Sequence, residues 1–245
     1  MIKYRIYPSL LDSFSWYEKN ESPTALNEFL DRINRVQQPY SEAADKGTKF
    51  NRITDAMLVG KLPDSVYLSS DAKSYIYPAE GEAPEFYFPI HICHEVVREL
   101  SGSLTQVYVK GVIDTRYGEV ELYGYADNVL MDTVIDIKTL AKAYEFPKFL
   151  HNWQHIVYPF CLRQKGIKVE RFSYFITDFT VVNNEDYEYN EEKDLPRLRE
   201  HIESLIEFLE TFRDRITDLK IFNLLPDTIV ARRDNEVNAT LIESF

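Results

Sequence analysis

The distribution of apolar residues along this chain of 245 residues predicts helices at both ends and strands in the middle. Apolar residues recur every three or four positions over 8–17 and again over 195–216, which is the spacing of an amphipathic helix. Alternating apolar and polar residues over 104–138 predict three consecutive antiparallel strands. A helix over 147–165 and a strand over 169–179 follow. This order indicates an α/β domain with a small mixed sheet flanked by helices.

The segments between these elements give weaker patterns. Ser22 and Pro23 form a typical cap and first turn for a helix that runs to about Val36. Further helices are predicted over 41–59 and 90–100. Four prolines and many tyrosines over 63–89 indicate an irregular or short-stranded excursion. Residues 219–245 show no pattern beyond mixed coil.

The second hairpin of the sheet brings charged residues together. With its turn at Met131-Asp132, Asp127 lies opposite Asp136, and Lys138 lies on the same face. Directly opposed residues have Cβ atoms roughly 4.5–5.5 Å apart, and like charges at this distance destabilise a sheet. A hard divalent cation removes that cost, since Mg²⁺ prefers carboxylate oxygens and water. The hairpin is therefore a candidate metal site, and the alternative is a solvated surface hairpin in which Asp136 pairs with Lys138.

A second aspartate, Asp114, ends a similar Gly-x-x-Asp pattern. Pairing of the first hairpin about Tyr117-Gly118 places Asp114 opposite Glu121, six residues from Asp127. At about 3.3 Å per residue the two aspartates are too far apart to share an ion. Asp114 is therefore excluded from the candidate site.

Composition and charge limit the class of protein. The hydrophobic content of 44% indicates a globular chain, and no apolar stretch is long enough for a membrane span or a signal peptide. The two cysteines, Cys93 and Cys161, have no metal-ligand spacing and are typical of a reducing, cytoplasmic compartment. The net charge is −12, but residues 138–171 carry seven basic against two acidic residues. This local excess could direct a polyanion to one groove, although a basic stretch can equally be a solvated face.

The charged hairpin also resembles a known active site. Gly124-Tyr125-Ala126-Asp127, followed by Ile135-Asp136-Ile137-Lys138-Thr139, is similar to the catalytic hairpin of the PD-(D/E)XK nuclease superfamily. Further on, Gln154 and Tyr158 match the Gln-x-x-x-Tyr motif of its RecB-type branch. That branch includes nuclease domains of recombination helicases, CRISPR-adaptation nucleases and phage exonucleases. The resemblance covers residues 40–180 and is specific through the order and spacing of its short motifs.

The resemblance implies a single PD-(D/E)XK-like domain over residues 1–245, with added N- and C-terminal helices, that hydrolyses DNA phosphodiesters. Asp127 and Asp136, with the Ile137 carbonyl, would hold Mg²⁺ or Mn²⁺, and Lys138 would position the nucleophile or stabilise developing charge. Gln154 and Tyr158 would touch the nucleic-acid backbone or brace the site. Lys142 and Lys148, in the basic stretch, are further candidates for binding nucleic acid.

One motif departs from the family pattern. Residues 47–55 resemble Gly-Thr-x-x-His-x-x-x-Glu, with Asn51 at the histidine position and Asp55 at the glutamate position. Asn51 offers a carbonyl oxygen but no imidazole nitrogen, so a preference for Mn²⁺ is less expected. Asn51 and Asp55 could complete the metal shell or be ordinary exposed helix residues.

Two further expectations concern cofactors and partners. Several RecB-type relatives hold an iron–sulfur cluster, which needs four thiolates or close substitutes. With two cysteines, this chain is expected to hold no iron–sulfur cluster. DNA is the expected partner, with a recombination or replication protein as a further candidate. A catalytically inactive binding or assembly protein on the same fold is the alternative, and hydrolysis of RNA or of a small nucleotide is a third.

Overall fold

The computed structural model describes residues 2–224 of the protein. The α-helices in this range are α1 (Pro8–Lys19), α2 (Pro23–Ile33), α3 (Glu42–Leu58), α4 (Ile90–Glu99), α5 (Gln154–Gln164) and α6 (Glu191–Thr211). The strands are β1 (Tyr4–Ile6), β2 (Tyr67–Leu68), β3 (Ser74–Tyr77), β4 (Phe86–Pro89), β5 (Leu104–Thr115), β6 (Gly118–Leu130), β7 (Thr133–Thr139), β8 (Arg171–Thr177) and β9 (Val182–Glu188). None of the helices within 2–224 is both long and apolar enough to cross a membrane.

Six strands form a mixed sheet around β6. One edge of β6 pairs with β5 along its length, and the other edge pairs with both β1 and β7. The sheet continues from β7 through β8 to β9. The β1–β6 and β7–β8 pairs are parallel and the others antiparallel. β2, β3 and β4 form a separate small antiparallel sheet.

The large sheet separates two hydrophobic cores. Along β7, Val134 packs in the first core, whereas Ile135 and Ile137 pack in the second. The first core contains apolar residues of α1, α2, α5 and α6, and the second contains those of α3, α4 and the small sheet. Helices therefore cover both faces of a mixed sheet, which confirms the predicted α/β class.

The capping residues of α2 predict its start correctly, whereas the predicted end of this helix is wrong. Ser22 caps α2 through its hydroxyl oxygen, which accepts the N–H of Ala25, as the sequence predicted. The same helix stops at Ile33 rather than near Val36, because Arg35 takes a left-handed conformation with φ of 53°.

The predicted helix over 147–165 is also shorter than expected. It begins at Gln154, and in the segment before it the backbone N–H groups of Lys148 and Phe149 donate to the buried carboxylate of Glu185. The helix predicted over 195–216 starts earlier, at Glu191, with Asn190 as its cap. Residues 219–222 form a short 3₁₀ helix, and residues 225–245 of the predicted coil lie outside the described residues.

The register of the first hairpin was predicted wrongly by two residues. Asp114 faces Glu119 rather than Glu121, because the two-residue turn is Arg116-Tyr117 and Gly118 already belongs to β6. The turn is held by α6, where Glu203 accepts the N–H of Arg116. Asp114 remains excluded from the site, because Glu119 is farther than Glu121 from Asp127 along the same strand.

Candidate active site

The candidate site lies at a gap in one edge of β6. On this edge β1 pairs with residues 120–122, and β7 pairs with residues 128–130. Within the described chain, no strand pairs with residues 123–127 on this edge. Asp127 lies at the end of the gap where β6 and β7 separate.

Asp127 also marks an irregularity in β6. Ala126 and Val129 both pack in the first core although they are three residues apart, so the alternation of faces slips between them. The neighbouring strand is distorted at the same level, where Gln106 has a φ of 50°. A polar residue at this position faces the gap because the regular pleat is interrupted there.

The sequence predicted the register of this hairpin correctly. Val129 faces Val134 and Leu130 faces Thr133, and the ladder ends at Asn128 and Ile135. At the next step the backbones part, and Asp127 Oδ2 accepts the N–H of Ile137 at 3.2 Å. The N–H and C=O of one residue in an extended strand point to the same edge. The Ile137 carbonyl, a predicted metal ligand, therefore faces the gap as well.

Burial and a neighbouring charge act on Asp127. Burial, followed by the carboxylate of Asp136, raises the pKa of its carboxyl to about 7, and the Lys138 ammonium opposes this shift. The two aspartates are therefore close enough to repel each other. This is the electrostatic cost that the sequence predicted for the pair.

Asp136 is 2% exposed and is held on both oxygens. Oδ1 accepts the side-chain amide of Gln154 at 2.7 Å, and Oδ2 lies 2.6 Å from Lys138 Nζ in an ion pair. Oδ2 makes no hydrogen bond within the described chain, so the lysine neutralises it without saturating it. Lys138 Nζ also lies 5.8 Å from the centre of the Tyr174 ring.

Gln154 and Tyr158 are one turn apart on α5, which packs over the gap. A Cβ atom on Gly124 would lie 2.9 Å from Cε1 of Tyr158, so the tyrosine ring rests against the bare backbone of β6. Tyr158 is 6% exposed, and burial raises the pKa of its hydroxyl. Of the two predicted roles for this pair, the geometry favours bracing the site over contacting DNA.

The helix α3 approaches β7 from the opposite face. Gly47 lies against Thr139, where a Cβ atom would come 2.7 Å from Oγ1. Asn51 and Asp55 follow at intervals of four residues and share this face of the helix. Asn51 Oδ1 is buried without a hydrogen-bond partner, and Asp55 accepts the side-chain amide of Gln106 at 3.3 Å. Burial raises the pKa of Asp55, and its charge contributes to the shift at Asp127.

Two site residues were missed at the sequence level. Asp12, on α1, accepts the N–H of Trp153 at 2.7 Å. Burial raises its pKa to about 6; the Trp153 hydrogen bond and Lys138 oppose this shift, and Asp136 adds to it. Tyr174 on β8 pairs with Asp136, and its hydroxyl is buried without a hydrogen-bond partner. No spacing or motif in the sequence identifies Asp12, which is a lone carboxylate beside the apolar stripe of α1.

The predicted nucleic-acid-binding lysines lie in the segment 140–153 that joins β7 to α5. Both Lys142 and Lys148 are exposed. Glu185 fixes this segment by accepting the Tyr144 hydroxyl at 2.6 Å and the N–H groups of Lys148 and Phe149. The lysines are therefore presented by an anchored segment whose two ends are the candidate site residues of β7 and α5.

The candidate ligands fit a hard cation only when carboxylate, backbone carbonyl and side-chain amide oxygens are taken together. Within residues 2–224 no three His, Cys, Asp or Glu side chains are placed to share an ion. Asp127 and the Ile137 carbonyl face the gap, the Asp136 carboxylate is near enough to Asp127 to raise its pKa, and Asn51 carries an orphaned carbonyl oxygen. Mg²⁺ takes one or two carboxylates together with carbonyls and waters, so these residues fit it. Cys93 and Cys161 are both buried and free, and they belong to different cores.

Comparison with known proteins adds no assignment. No protein-family model matches the chain, and no curated protein matches it. Among solved structures it is similar to one titled "Crystal structure of SSO0001", with 15% sequence identity and a TM-score of 0.45. The match covers 85% of this chain and 78% of that chain. A likeness of this size says nothing about activity, so the candidate function rests on the site itself.

Proposed function

We propose that this protein is a divalent-metal-dependent DNA nuclease, an exonuclease with a PD-(D/E)XK core of the RecB type. One observation carries the proposal. Two aspartates from diverging strands, the half-buried Asp127 and the buried Asp136, are close enough to repel each other, and Lys138 lies 2.6 Å from the second. A structural role does not require a carboxylate pair of this kind, since burying like charges is costly.

The metal would be held by Asp127, Asp136 and the Ile137 carbonyl, with Asn51 as a further oxygen donor. When bound, Mg²⁺ or Mn²⁺ supplies a Lewis acid and a water of lowered pKa. Neutralisation by the ion would remove the repulsion between the two carboxylates. Asn51 Oδ1 is buried without a hydrogen-bond partner, and Asp136 Oδ2 accepts no hydrogen bond although the Lys138 ammonium lies 2.6 Å away; both oxygens support this donor set.

Three further residues would position other groups of the site or stabilise charge that develops in the reaction. Lys138 presents an ammonium beside Asp136, where it orients the attacking water or stabilises negative charge on the phosphoryl oxygens. Gln154 holds Asp136 in one orientation through its 2.7 Å hydrogen bond. Tyr158 fixes the distance between α5 and β6, because its ring rests on Gly124.

The nucleic acid would enter along the segment 140–153. Lys142 and Lys148 are exposed there, at the start of a basic stretch in an otherwise acidic chain. Phosphate neutralisation by lysine supplies most non-specific affinity for DNA. The acidic remainder of the surface would confine the duplex or strand to this side of the molecule. A role in phage or host recombination or replication, with a protein partner from that machinery, is part of the same proposal.

A substrate panel tests the proposal. Purified protein is incubated with linear duplex, circular duplex and single-stranded DNA, and with RNA, in Mg²⁺, Mn²⁺ or chelator. We expect cleavage of linear DNA that needs the metal and is lost in Asp136→Asn. The control is Asp114→Asn, since Asp114 ends the same Gly-x-x-Asp pattern as Asp127 but is exposed and remote from the gap. Cleavage by the Asp136 variant at the wild-type rate would contradict the site assignment.

The alternative is a protein that binds nucleic acid on this fold without cutting it. The observation that favours it is Asn51, which stands where the family motif has histidine. Tight, metal-independent DNA binding without cleavage of any substrate in the panel would support this alternative. Metal-dependent cleavage of RNA alone would instead change the substrate class and leave the site assignment intact.

A further inference from the structure

The N-terminus of α5 is capped by a different helix. Trp153 precedes the helix and provides no side-chain cap of its own, and the first turn of α5 contains no acidic residue. The N–H of Trp153 instead donates to Asp12 Oδ1 on α1 at 2.7 Å. A carboxylate that accepts a backbone N–H at a helix start satisfies an otherwise unpaired donor and interacts favourably with the helix dipole.

The indole of Trp153 is held by the same helix. Its Nε1–H donates to Ser15 Oγ at 3.0 Å, and the ring stacks on His201 of α6 with 4.5 Å between ring centres. His201 Nε2 in turn lies 3.0 Å from Ser15 Oγ. Trp153 is therefore fixed to α1 at both its backbone and its side chain.

The residue after Trp153 is Gln154, whose side-chain amide holds Asp136 at 2.7 Å. Any shift of the first turn of α5 moves Gln154, and with it the donor that orients the Asp136 carboxylate. Two hydrogen bonds, joined by the peptide link between Trp153 and Gln154, thus connect Asp12 to Asp136. The lone carboxylate of α1 is connected to the candidate catalytic centre by contacts of ordinary hydrogen-bond length.

We propose that Asp12 is a positioning residue, which fixes the first turn of α5 and so holds the Gln154 amide on Asp136. This inference rests on the proposed nuclease function, because Asp136 is assigned there as a metal ligand. Residues that orient metal ligands from behind typically change metal affinity or activity by 10–100-fold when removed. Asp12 has the position and the hydrogen bond that such a role needs.

The test compares five variants by their kcat and KM for linear DNA at saturating Mg²⁺, and by their Mg²⁺ affinity measured by calorimetry without DNA. We expect Asp12→Ala to lower kcat by about 10–100-fold with little change in KM for DNA, and to weaken Mg²⁺ binding because Asp136 is no longer held in one orientation. Asp12→Asn keeps an acceptor oxygen for the Trp153 N–H and should restore most of the rate. Ser22→Ala is the matched control: it removes the cap of α2, costs a similar ~1 kcal/mol of stability, and should leave kcat unchanged.

The remaining two variants, Gln154→Ala and Asp12→Ala/Gln154→Ala, show whether Asp12 acts through Gln154. If it does, the kcat of Asp12→Ala/Gln154→Ala equals that of Gln154→Ala within about threefold, because both changes break the same connection. A fold-loss of kcat in the double variant equal to the product of the losses in the two single variants would overturn the inference. So would a wild-type kcat in Asp12→Ala, and this result would leave the proposed nuclease function standing.

Two remaining outcomes are also decisive. If Asp12→Ala does not fold, Asp12→Asn carries the test, and a loss of more than tenfold in that folded variant overturns the inference. If the wild-type protein cleaves no nucleic acid with any metal, the proposed function fails, and the inference fails with it.

Discussion

Tyr158 and Gly124 are in direct contact, with the tyrosine ring lying where a side chain of residue 124 would begin. A Cβ atom at this position would be 2.9 Å from Cε1 of Tyr158, closer than such atoms approach in real proteins. The contact explains in physical terms why a glycine precedes Asp127 in β6 and a tyrosine follows Gln154 in α5. The two motifs are halves of one packing interaction.

The first prediction is that Gly124→Ala displaces α5 from the sheet. We expect a loss of ~1–3 kcal/mol in the free energy of unfolding, as for other overpacked sites, together with slower DNA cleavage. Adding Tyr158→Leu removes Cε1 and should recover part of the stability lost in Gly124→Ala. Denaturant unfolding of both single variants and the double variant measures this coupling. Additive losses would contradict the packing argument.

The second prediction concerns Lys138. Its proposed role needs a positive charge near the phosphate and not a bond to the metal. Lys138→Ala should therefore lower the cleavage rate by roughly 100-fold or more, as for other electrostatic donors, while Mg²⁺ affinity measured by calorimetry is retained. Lys168→Ala, which removes an exposed lysine ion-paired with Glu170, is the control. Lost metal binding with normal turnover at saturating metal would contradict the role.

The third prediction follows from the raised pKa of Asp127, about 7 in the folded protein against 3.8 in the unfolded chain. Between these values the folded state binds more protons, so metal-free stability decreases as the pH rises from about 4 to 7. Asp127→Asn keeps an oxygen for the Ile137 N–H and removes the charge.

In chelator we expect Asp127→Asn to melt at a higher temperature than wild type at pH 8, with a smaller difference at pH 5. Added Mg²⁺ at pH 8 should stabilise wild type and leave the variant unchanged. Thermal unfolding at the two pH values, with and without the metal, checks both statements. An equal response to Mg²⁺ in the two proteins would remove Asp127 from the ligand set.

The fourth prediction concerns His155, which is 7% exposed and stacks on Tyr187 with 4.4 Å between ring centres. Burial, followed by the positive charge of Arg197, lowers its pKa to about 4 from an ordinary 6.5. Between these values the unfolded state binds the extra proton. Stability is therefore fully present above pH 6.5 and decreases by about 1.4 kcal/mol per unit as the pH falls towards 4.

Replacing this histidine with an apolar ring, His155→Phe, should flatten that part of the stability profile. His91→Phe changes an exposed histidine and should leave the profile unchanged. Urea unfolding at pH 7, 6 and 5 provides the comparison. An unchanged slope in His155→Phe would show that another group is responsible for the acid sensitivity.

The fifth prediction is that Glu185→Ala releases the segment 140–153. Removing this carboxylate leaves the N–H groups of Lys148 and Phe149 and two tyrosine hydroxyls, of Tyr144 and Tyr187, without their acceptor. We expect a loss of ~2–4 kcal/mol and faster limited proteolysis within the segment. Glu188→Ala, an exposed position on the same strand, should show neither effect.

The sequence predicted the parts of this fold that local chemistry determines. The cap at Ser22 and the register about Met131-Asp132 depend on residues close in the chain, and both are confirmed. The start of α5 could not be predicted, because the segment before it is fixed by a hydrogen bond to Glu185, more than thirty residues away. Long-range contacts of this kind produce no periodic pattern of apolar and polar residues in the sequence.

The candidate site shows the same division. Asp127, Asp136 and Lys138 were predicted from one hairpin, and the structure places them together. Asp12 was missed because its connection to the site passes through the backbone of Trp153, on an element more than 130 residues away. A carboxylate that acts through a backbone N–H needs no spacing or motif, so the sequence contains no pattern that would identify it.

The gap in the edge of β6 also bears on self-association. An exposed strand edge invites pairing with another chain, and proteins usually cover or interrupt such edges. Here residues 123–127, which no strand within residues 2–224 pairs on this edge, span roughly 16 Å and are bounded at one end by β1 and at the other by β7. An incoming strand from a second molecule has no room to extend past either neighbour. The fold can thus leave sheet backbone open beside two carboxylates without creating a template for aggregation.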